Sequence, residues 1–213
     1  GCGKKHPKEK ILQNTNFTLI DIDLSQPLPS HLPDFDLILH LSSEKIDNSQ
    51  NLSTSTKNMV AHAWQENSDV VVCLPITSST DFLENYLKSD NSQRKLRIFL
   101  IGDIYGPEIL LSQNQEANSY YSNNKLTNLI NQAITQDKII LDNEGLEMVY
   151  PIYEDDVKNT ILKFISQKDS KKIRYIISGT PLTSLSASYE IQNITRTILQ
   201  KDPGIFFSGD ENN

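Results

Sequence analysis

The side chains able to do chemistry in this chain stand mostly at the ends of apolar runs. KLRIFLIGDIYGP, Lys95 to Pro107, delivers Asp103 and Tyr105 just before a Gly-Pro turn. A carboxylate and a phenol there can hydrogen-bond or exchange protons with a ligand. DVVVCLPITSS ends in successive hydroxyls, Thr77, Ser78 and Ser79, a pattern typical of a loop or a helix cap. Asp155 and Asp156 stand directly ahead of the amphipathic VKNTILKF. They read as an acidic pair complementing a helix dipole rather than as metal ligands, and no metal cluster is expected. His40 ends an apolar run and reads as a core histidine with one satisfied nitrogen. Cys73 lies inside another apolar run and reads as an inert core thiol. With Cys2 it forms no disulfide framework and no metal-ligand spacing.

The elements that must position these groups alternate along the chain. FTLIDIDL (Phe17 to Leu24), DLILHLSS (Asp36 to Ser43), DVVVCLPI and RIFLIGDIYGP are expected strands. The last three are continuous apolar runs, the pattern of strands buried on both faces in parallel sheets. TSTKNMVAHAWQEN, with Met59, Val60, Ala63 and Trp64 at helical spacing, and DFLENYLKSDN are expected helices between them. QPLPSHLPDF is too rich in proline to be helix. Beyond Pro107 the chain reads as helix KLTNLINQAITQ, strand KIILDNEG, an extended MVYPIY leading into the EDDVKNTILKFISQ helix, strand IRYIISG and helix SASYEIQNITRTILQ. Helices between buried strands imply βαβ units and an α/β fold.

The length of 213 residues suits one α/β domain with a small lobe, and 37% hydrophobic content allows it a packed core. A formal charge of -7 argues against a nucleic-acid surface. No segment reaches the roughly 20 apolar residues that cross a bilayer, so no membrane partner is expected. The reduced cysteines fit a cytoplasmic setting. GCGKKHPKEK carries no initiator Met and no signal-peptide pattern, and reads as the middle of a longer chain.

Four landmarks occur in an order with a known counterpart. DLILHLSS is similar to a strand motif ending H-L-A-A, and TKNMVAHA to the T-x-N-L-L-E-A-A helix that follows it. IGDIYGP is similar to G-N-V-Y-G-P, and PIYEDDV to F-I-Y-V-D-D-V. Together they resemble the extended short-chain dehydrogenases/reductases, in particular the NAD-dependent epimerase/dehydratase family acting on nucleotide sugars. The resemblance covers roughly Phe17 to Thr197. It implies a Rossmann-like doubly wound parallel sheet lacking its first βα unit, with a small C-terminal substrate lobe. Residues 1–107 would be a partial NAD(P)-binding domain. Residues 108–213 would be a smaller substrate-binding lobe interleaved with the last strands of that sheet.

What the resemblance implies for individual residues is specific. The chemistry would be transient hydride transfer to bound NAD or NADP, as in an isomerase or dehydratase of a nucleotide sugar. A Tyr exchanges the proton, a Lys four residues later lowers its pKa, and a Ser or Thr holds the reacting oxygen. The hydroxyl position falls near Thr77, with Ser78 and Ser79 as alternatives. The Tyr-x-x-x-Lys pair belongs on the helix before the Tyr-Gly-Pro strand. There the chain has only Tyr86 and Lys88, two apart and on different helix faces. Tyr121 and Lys125 have the spacing but follow that strand. On the cofactor side, Asp23 and Leu24 would lie beside the adenine, and Leu41, Ser42 and Ser43 beside the pyrophosphate and nicotinamide ribose. Lys4 and Lys5 would meet a 2′-phosphate or form a basic loop. On the substrate side stand Asp103 and Tyr105.

Departures accompany the matches. The G-x-G-x-x-G fingerprint is not in the sequence. Leu100 replaces a strand Arg, Asp103 replaces the Asn of G-N-V-Y-G-P, and Val149 replaces the Arg that often clamps a diphosphate. The homodimer implied by the resemblance would form through the helix that is shortened here. Three readings follow: an NAD(P)-dependent epimerase/dehydratase-like enzyme, a catalytically inactive relative serving as a binding or scaffold module, or a Rossmann-like fold with unrelated small-molecule binding.

Overall fold

The computed structural model describes residues 16, 18, 20–29, 32–41, 54–66, 68–78, 80, 83, 96–107, 124–166 and 174–209. In chain order these build β1 (Leu37–Leu41), α1 (Thr54–Gln65), β2 (Asp69–Pro75), β3 (Leu96–Ile101), β4 (Asp103–Tyr105), α2 (Lys125–Thr135), β5 (Lys138–Leu141), β6 (Met148–Val149), β7 (Pro151–Tyr153), α3 (Glu154–Ser166), β8 (Arg174–Ile177), β9 (Leu182–Thr183), α4 (Ser184–Leu199) and β10 (Gly204–Phe207). The chain forms two compact units. The first is Gly1–Leu100 with Lys172–Tyr175, and the second is Ile101–Lys171 with Ile176–Asn213.

The first unit is built on the continuous apolar runs. Its sheet has the order β1-β2-β3-β8, with β1 and β2 parallel in the register Leu37↔Asp69 to Leu41↔Cys73. Val70 to Leu74 are all buried, so β2 is covered on both faces, as a parallel inner strand should be. The apolar stripe of α1 explains part of that cover. Val60, Ala63 and Trp64 pack with Ile38, Val72, Leu83 and Ile98 in one core. At the far edge Tyr175 of β8 lies against Phe99, ring centroids 5.3 Å apart, and Arg174 Nη1 donates to Thr80 Oγ1 at 3.3 Å.

The second unit has its own core. Leu126, Leu129 and Ala133 of α2 meet Ile139 and Leu141 of β5, Val149 of β6 and Ala187 of α4. Short two-stranded ladders surround it: β5 with β10 and β4 with β7, both parallel, and β6 with β9, antiparallel. The helices carry their own caps. Asn124 Oδ1 accepts from Thr127 N ahead of α2, and Thr183 Oγ1 accepts from Ser186 N ahead of α4. Each satisfies one of the orphan N–H groups of a first turn. No described helix is long and apolar enough to cross a membrane.

The structure departs from the sequence reading at three places. Among the described residues of Phe17 to Leu24 there is no strand. Asp23 instead accepts from Ser25 N at 2.9 Å, and Gln26 N donates to Asp23 O at 3.1 Å. An Asx turn competes with extended pairing and wins. The run RIFLIGDIYGP is two strands, not one: it breaks at Gly102, after which β4 leaves the β3 sheet to pair with β7. A strand at GIFF, β10, was not anticipated from so short a run. The expected helix DFLENYLKSDN lies outside the described residues except for Leu83, which is helical and buried.

Candidate functional site

The best-defined polar constellation lies in the second unit, where β4 and β7 end together. Gly102 opens it. Its N–H donates to Ile177 O at 2.9 Å, and a Cβ at this position would strike Tyr150 O. Next, Asp103 and Tyr150 bond each other twice: Asp103 N donates to Tyr150 O at 2.6 Å, and Tyr150 N donates to Asp103 Oδ2 at 2.8 Å. The carboxylate thus acts as a main-chain acceptor. An Asn side-chain oxygen could accept the same bond, so the Asn-to-Asp departure leaves this clamp possible. From the other side, Ile104 O accepts from Asn124 Nδ2 at 2.5 Å and Thr127 Oγ1 at 3.3 Å, which seats the start of α2 over β4.

Beyond this clamp the parallel register places Tyr105 beside Tyr153. Their rings sit edge to face, 61° apart in plane with centroids at 5.6 Å, a geometry the ring quadrupoles favour. The chain then turns at Gly106, which is buried. A Cβ there would lie 2.5 Å from the side chain of Glu154, so only glycine lets that carboxylate fold down. Glu154 begins α3 and is 8% exposed. Asp155 and Asp156 follow it in the first turn, exposed, with Asp155 bonded to Lys158 Nζ at 3.1 Å. That is the dipole-complementing role expected of them.

Lys125 is the first residue of α2 and is ion-paired with Glu147. Burial lowers its pKa, with Asp142 and Asp103 pulling the other way. Burial outweighs the two carboxylates because the ammonium has given up part of its hydration. Tyr121, its spacing partner, lies outside the described residues, as do Ser42, Ser43, Ser79, Tyr86 and Lys88.

In the first unit, Asp23 and Leu24 sit on the turn that replaces the expected strand. That turn is anchored by a residue whose role was not anticipated. Asn58 Nδ2 of α1 donates to Leu24 O at 3.0 Å and Gln26 O at 2.8 Å. The only sequence hint was its place as the Asn of TKNMVAHA. Leu41 ends β1 exposed, and Thr77 is exposed on the turn after β2, where Ser78 N donates to Pro75 O at 2.9 Å. His40 is buried and its Nε2 bonds Thr56 Oγ1 at 2.9 Å, as a core histidine should. Among the described residues no group of His, Cys, Asp or Glu could hold a metal ion.

Cys73 is buried in β2, and burial pushes its thiol up from 9.0 to about 12. Between those values the folded chain keeps a proton that the unfolded chain has released. Stability therefore falls as pH rises through that window, by about 1 kcal/mol per unit from this group. Urea unfolding of the native chain between pH 9 and pH 10.5 is expected to show this slope, and Cys73→Ala to lose it. Equal slopes in both proteins would refute the assignment.

No family model matches the chain, and no curated protein matches it in sequence. Solved structures do match. ADP-L-glycero-D-manno-heptose-6-epimerase of Helicobacter pylori is similar with a TM-score of 0.63 at 14% identity, over 91% of this chain and 69% of that one. A novel NAD-dependent NDP-hexosamine 5,6-dehydratase of tunicamycin biosynthesis is similar with 0.64 at 12% identity, over 92% and 71%. dTDP-glucose 4,6-dehydratase from Bacillus anthracis, in complex with NAD, is similar with 0.63 at 12% identity, over 94% and 71%. At such identities the likeness speaks for architecture alone. The chain has a Rossmann-like α/β fold with a parallel central sheet, of the kind built by NAD-dependent sugar epimerases and dehydratases.

Proposed function

We propose that this chain is an NAD(P)-binding protein of the nucleotide-sugar epimerase/dehydratase type. Residues 1–107 serve the cofactor and 108–213 serve as the substrate lobe. The observation that carries the reading is likeness over nine-tenths of the chain to three enzymes that, by their names, act on nucleotide-linked sugars. The first unit offers fitting groups for a dinucleotide, Asp23 beside the adenine and Leu41 beside the pyrophosphate and nicotinamide ribose. Asp23 is an exposed carboxylate on a turn fixed by Asn58, and Leu41 is an exposed apolar side chain at the end of a parallel strand. Bound NAD or NADP would supply the hydride chemistry. Thr77 is the hydroxyl assigned to the reacting oxygen, and Asp103 and Tyr105 face the substrate role. A cytoplasmic setting accords with the free, buried thiol of Cys73.

One observation favours the second reading, an inactive relative kept for binding. Lys125, the ammonium with catalytic spacing, is held by Glu147 at the start of α2. Titrating the purified chain into NADH and NADPH, followed by nicotinamide fluorescence, tests the shared core of both readings. Saturable binding at micromolar cofactor, weakened by Asp23→Ala, is the expected result. No binding up to millimolar cofactor would overturn it. Turnover of a nucleotide sugar would then separate enzyme from inactive relative.

A further inference from the structure

We infer that the turn 142–148 and the first two turns of α4 form a docking surface for a basic amphipathic helix of a partner protein. The surface lies wholly within the second unit. Leu146, Met148 and Tyr189 are 65%, 45% and 58% exposed. Single apolar residues on a surface are ordinary, but a group of them marks an interaction site. The backbone brings these three together. A Cβ on Gly145 would lie 2.8 Å from Leu185 Cβ, so the residue ahead of Leu146 rests on α4. Tyr189 stands one turn beyond Leu185 on the same helix face. Met148 pairs with Thr183, which caps α4. Tyrosine and methionine are enriched at the cores of protein interfaces.

The surface is also preformed. Asn143, Glu144 and Gly145 hold positive φ angles of 47°, 55° and 70°. Gly145 N donates to Asp142 O at 2.9 Å and Leu146 N to Asn143 O at 3.1 Å. Asn143 Nδ2 donates to Glu147 Oε1 at 3.2 Å, and Ser184 N donates to Glu147 O at 2.7 Å, tying the turn to α4. A surface ordered in advance gives up little entropy on binding. Charge then selects the partner. Asp142, Glu144, Glu147 and Glu190 are exposed about the apolar side chains, and neither 142–148 nor 184–190 contains a Lys, Arg or His. Lys125 reaches in to pair with Glu147, but the carboxylates outnumber it. Such a rim attracts a helix with apolar anchors on one face and Lys or Arg on its flanks. It repels the phosphates of nucleic acids and anionic membranes, and a second copy of this chain would set carboxylate against carboxylate.

The test uses the full chain with a fluorescent synthetic peptide of repeating Leu-Lys-Lys-Leu units, followed by anisotropy. Saturable binding at micromolar peptide is expected, weakening as ionic strength rises. Leu146→Ser combined with Tyr189→Ser should weaken it at least tenfold. Glu144→Gln combined with Glu190→Gln, both at exposed positions, should weaken it several-fold and flatten the salt dependence. Ile198→Ser, at the far end of α4, should leave it unchanged. Circular-dichroism melting confirms that each variant is folded. No saturable binding up to millimolar peptide would overturn the assignment, as would equal binding of the Leu-Glu-Glu-Leu counterpart or unchanged binding in either folded double variant. A dimer in sedimentation that Leu146→Ser with Tyr189→Ser abolishes would give the face to a second copy instead. Flotation with phosphatidylserine vesicles, lost in the same variant, would give it to a membrane.

Discussion

Gly102→Val is expected to destabilise the chain by about 3 kcal/mol, lowering its urea midpoint by about 1.5 M at a slope of about 2 kcal/mol per molar. The size follows from what the new side chain would meet. Tyr150 O is backbone, and it is held there by Asp103 N, so no side-chain rotation can clear the way. Ser178 Cβ and Tyr150 Cβ close the remaining space, each 3.1 Å from the new Cβ. Moving Tyr150 aside would break both arms of its exchange with Asp103 and leave a half-buried carboxylate without its donor. Gly102→Ala should lose most of the same amount, because the Cβ alone already meets Tyr150 O. A midpoint within 0.3 M of the native chain for Gly102→Val would show that the strands do not approach as described.

Phe99→Ala is expected to cost about 3–5 kcal/mol, the usual loss for deleting a fully buried phenyl ring. Phe99 has no exposed surface, sits mid-strand in β3, and stacks on Tyr175 at a tilt of 39°. Its removal leaves a cavity that a central strand cannot collapse into without breaking its ladder. Phe99→Leu should recover more than half of the loss by refilling the volume. Thermal or urea unfolding measures both. An equal loss for the two variants would mean that the aromatic pairing with Tyr175, rather than volume, dominates.

The parts of the fold legible in the sequence are those whose signal is local. β1, β2 and β3 are continuous apolar runs, and a strand covered on both faces has no other way to look. The helices α1, α2 and α3 carry apolar residues at helical spacing that coincide with their buried faces, whereas α4 buries Ser184, Ala187, Ser188 and Thr195 and leaves Ile194 and Ile198 exposed. Chemistry that depends on partners remote in sequence was harder to see. That the Asp103 carboxylate accepts from Tyr150 N–H is invisible in the sequence, because its partner lies 47 positions away. Phe17 to Leu24 reads as strand because its alternation is visible and the grip of the Asp23 carboxylate on Ser25 N is not. GDIYGP and PIYEDDV were each recognisable, but their pairing in register, which creates the Tyr105–Tyr153 contact, is a non-local parallel match that no local pattern encodes. The buried Glu154 had one available clue: a glycine, Gly106, just after a tyrosine strand end, marking a close approach.

The first unit takes its last strand residues, Arg174 and Tyr175, from about 75 positions beyond Leu100. During synthesis at roughly 5–20 residues per second, β3 therefore waits on the order of 4–15 s for its neighbour to leave the ribosome. For that interval its outer row of N–H and C=O groups is unpaired, and its apolar side chains lack the ring of Tyr175. A nascent chain in this state is the species most open to chaperone capture or to pairing with another copy of itself. Slowing translation between residues 101 and 175 would lengthen that exposure without changing the finished protein.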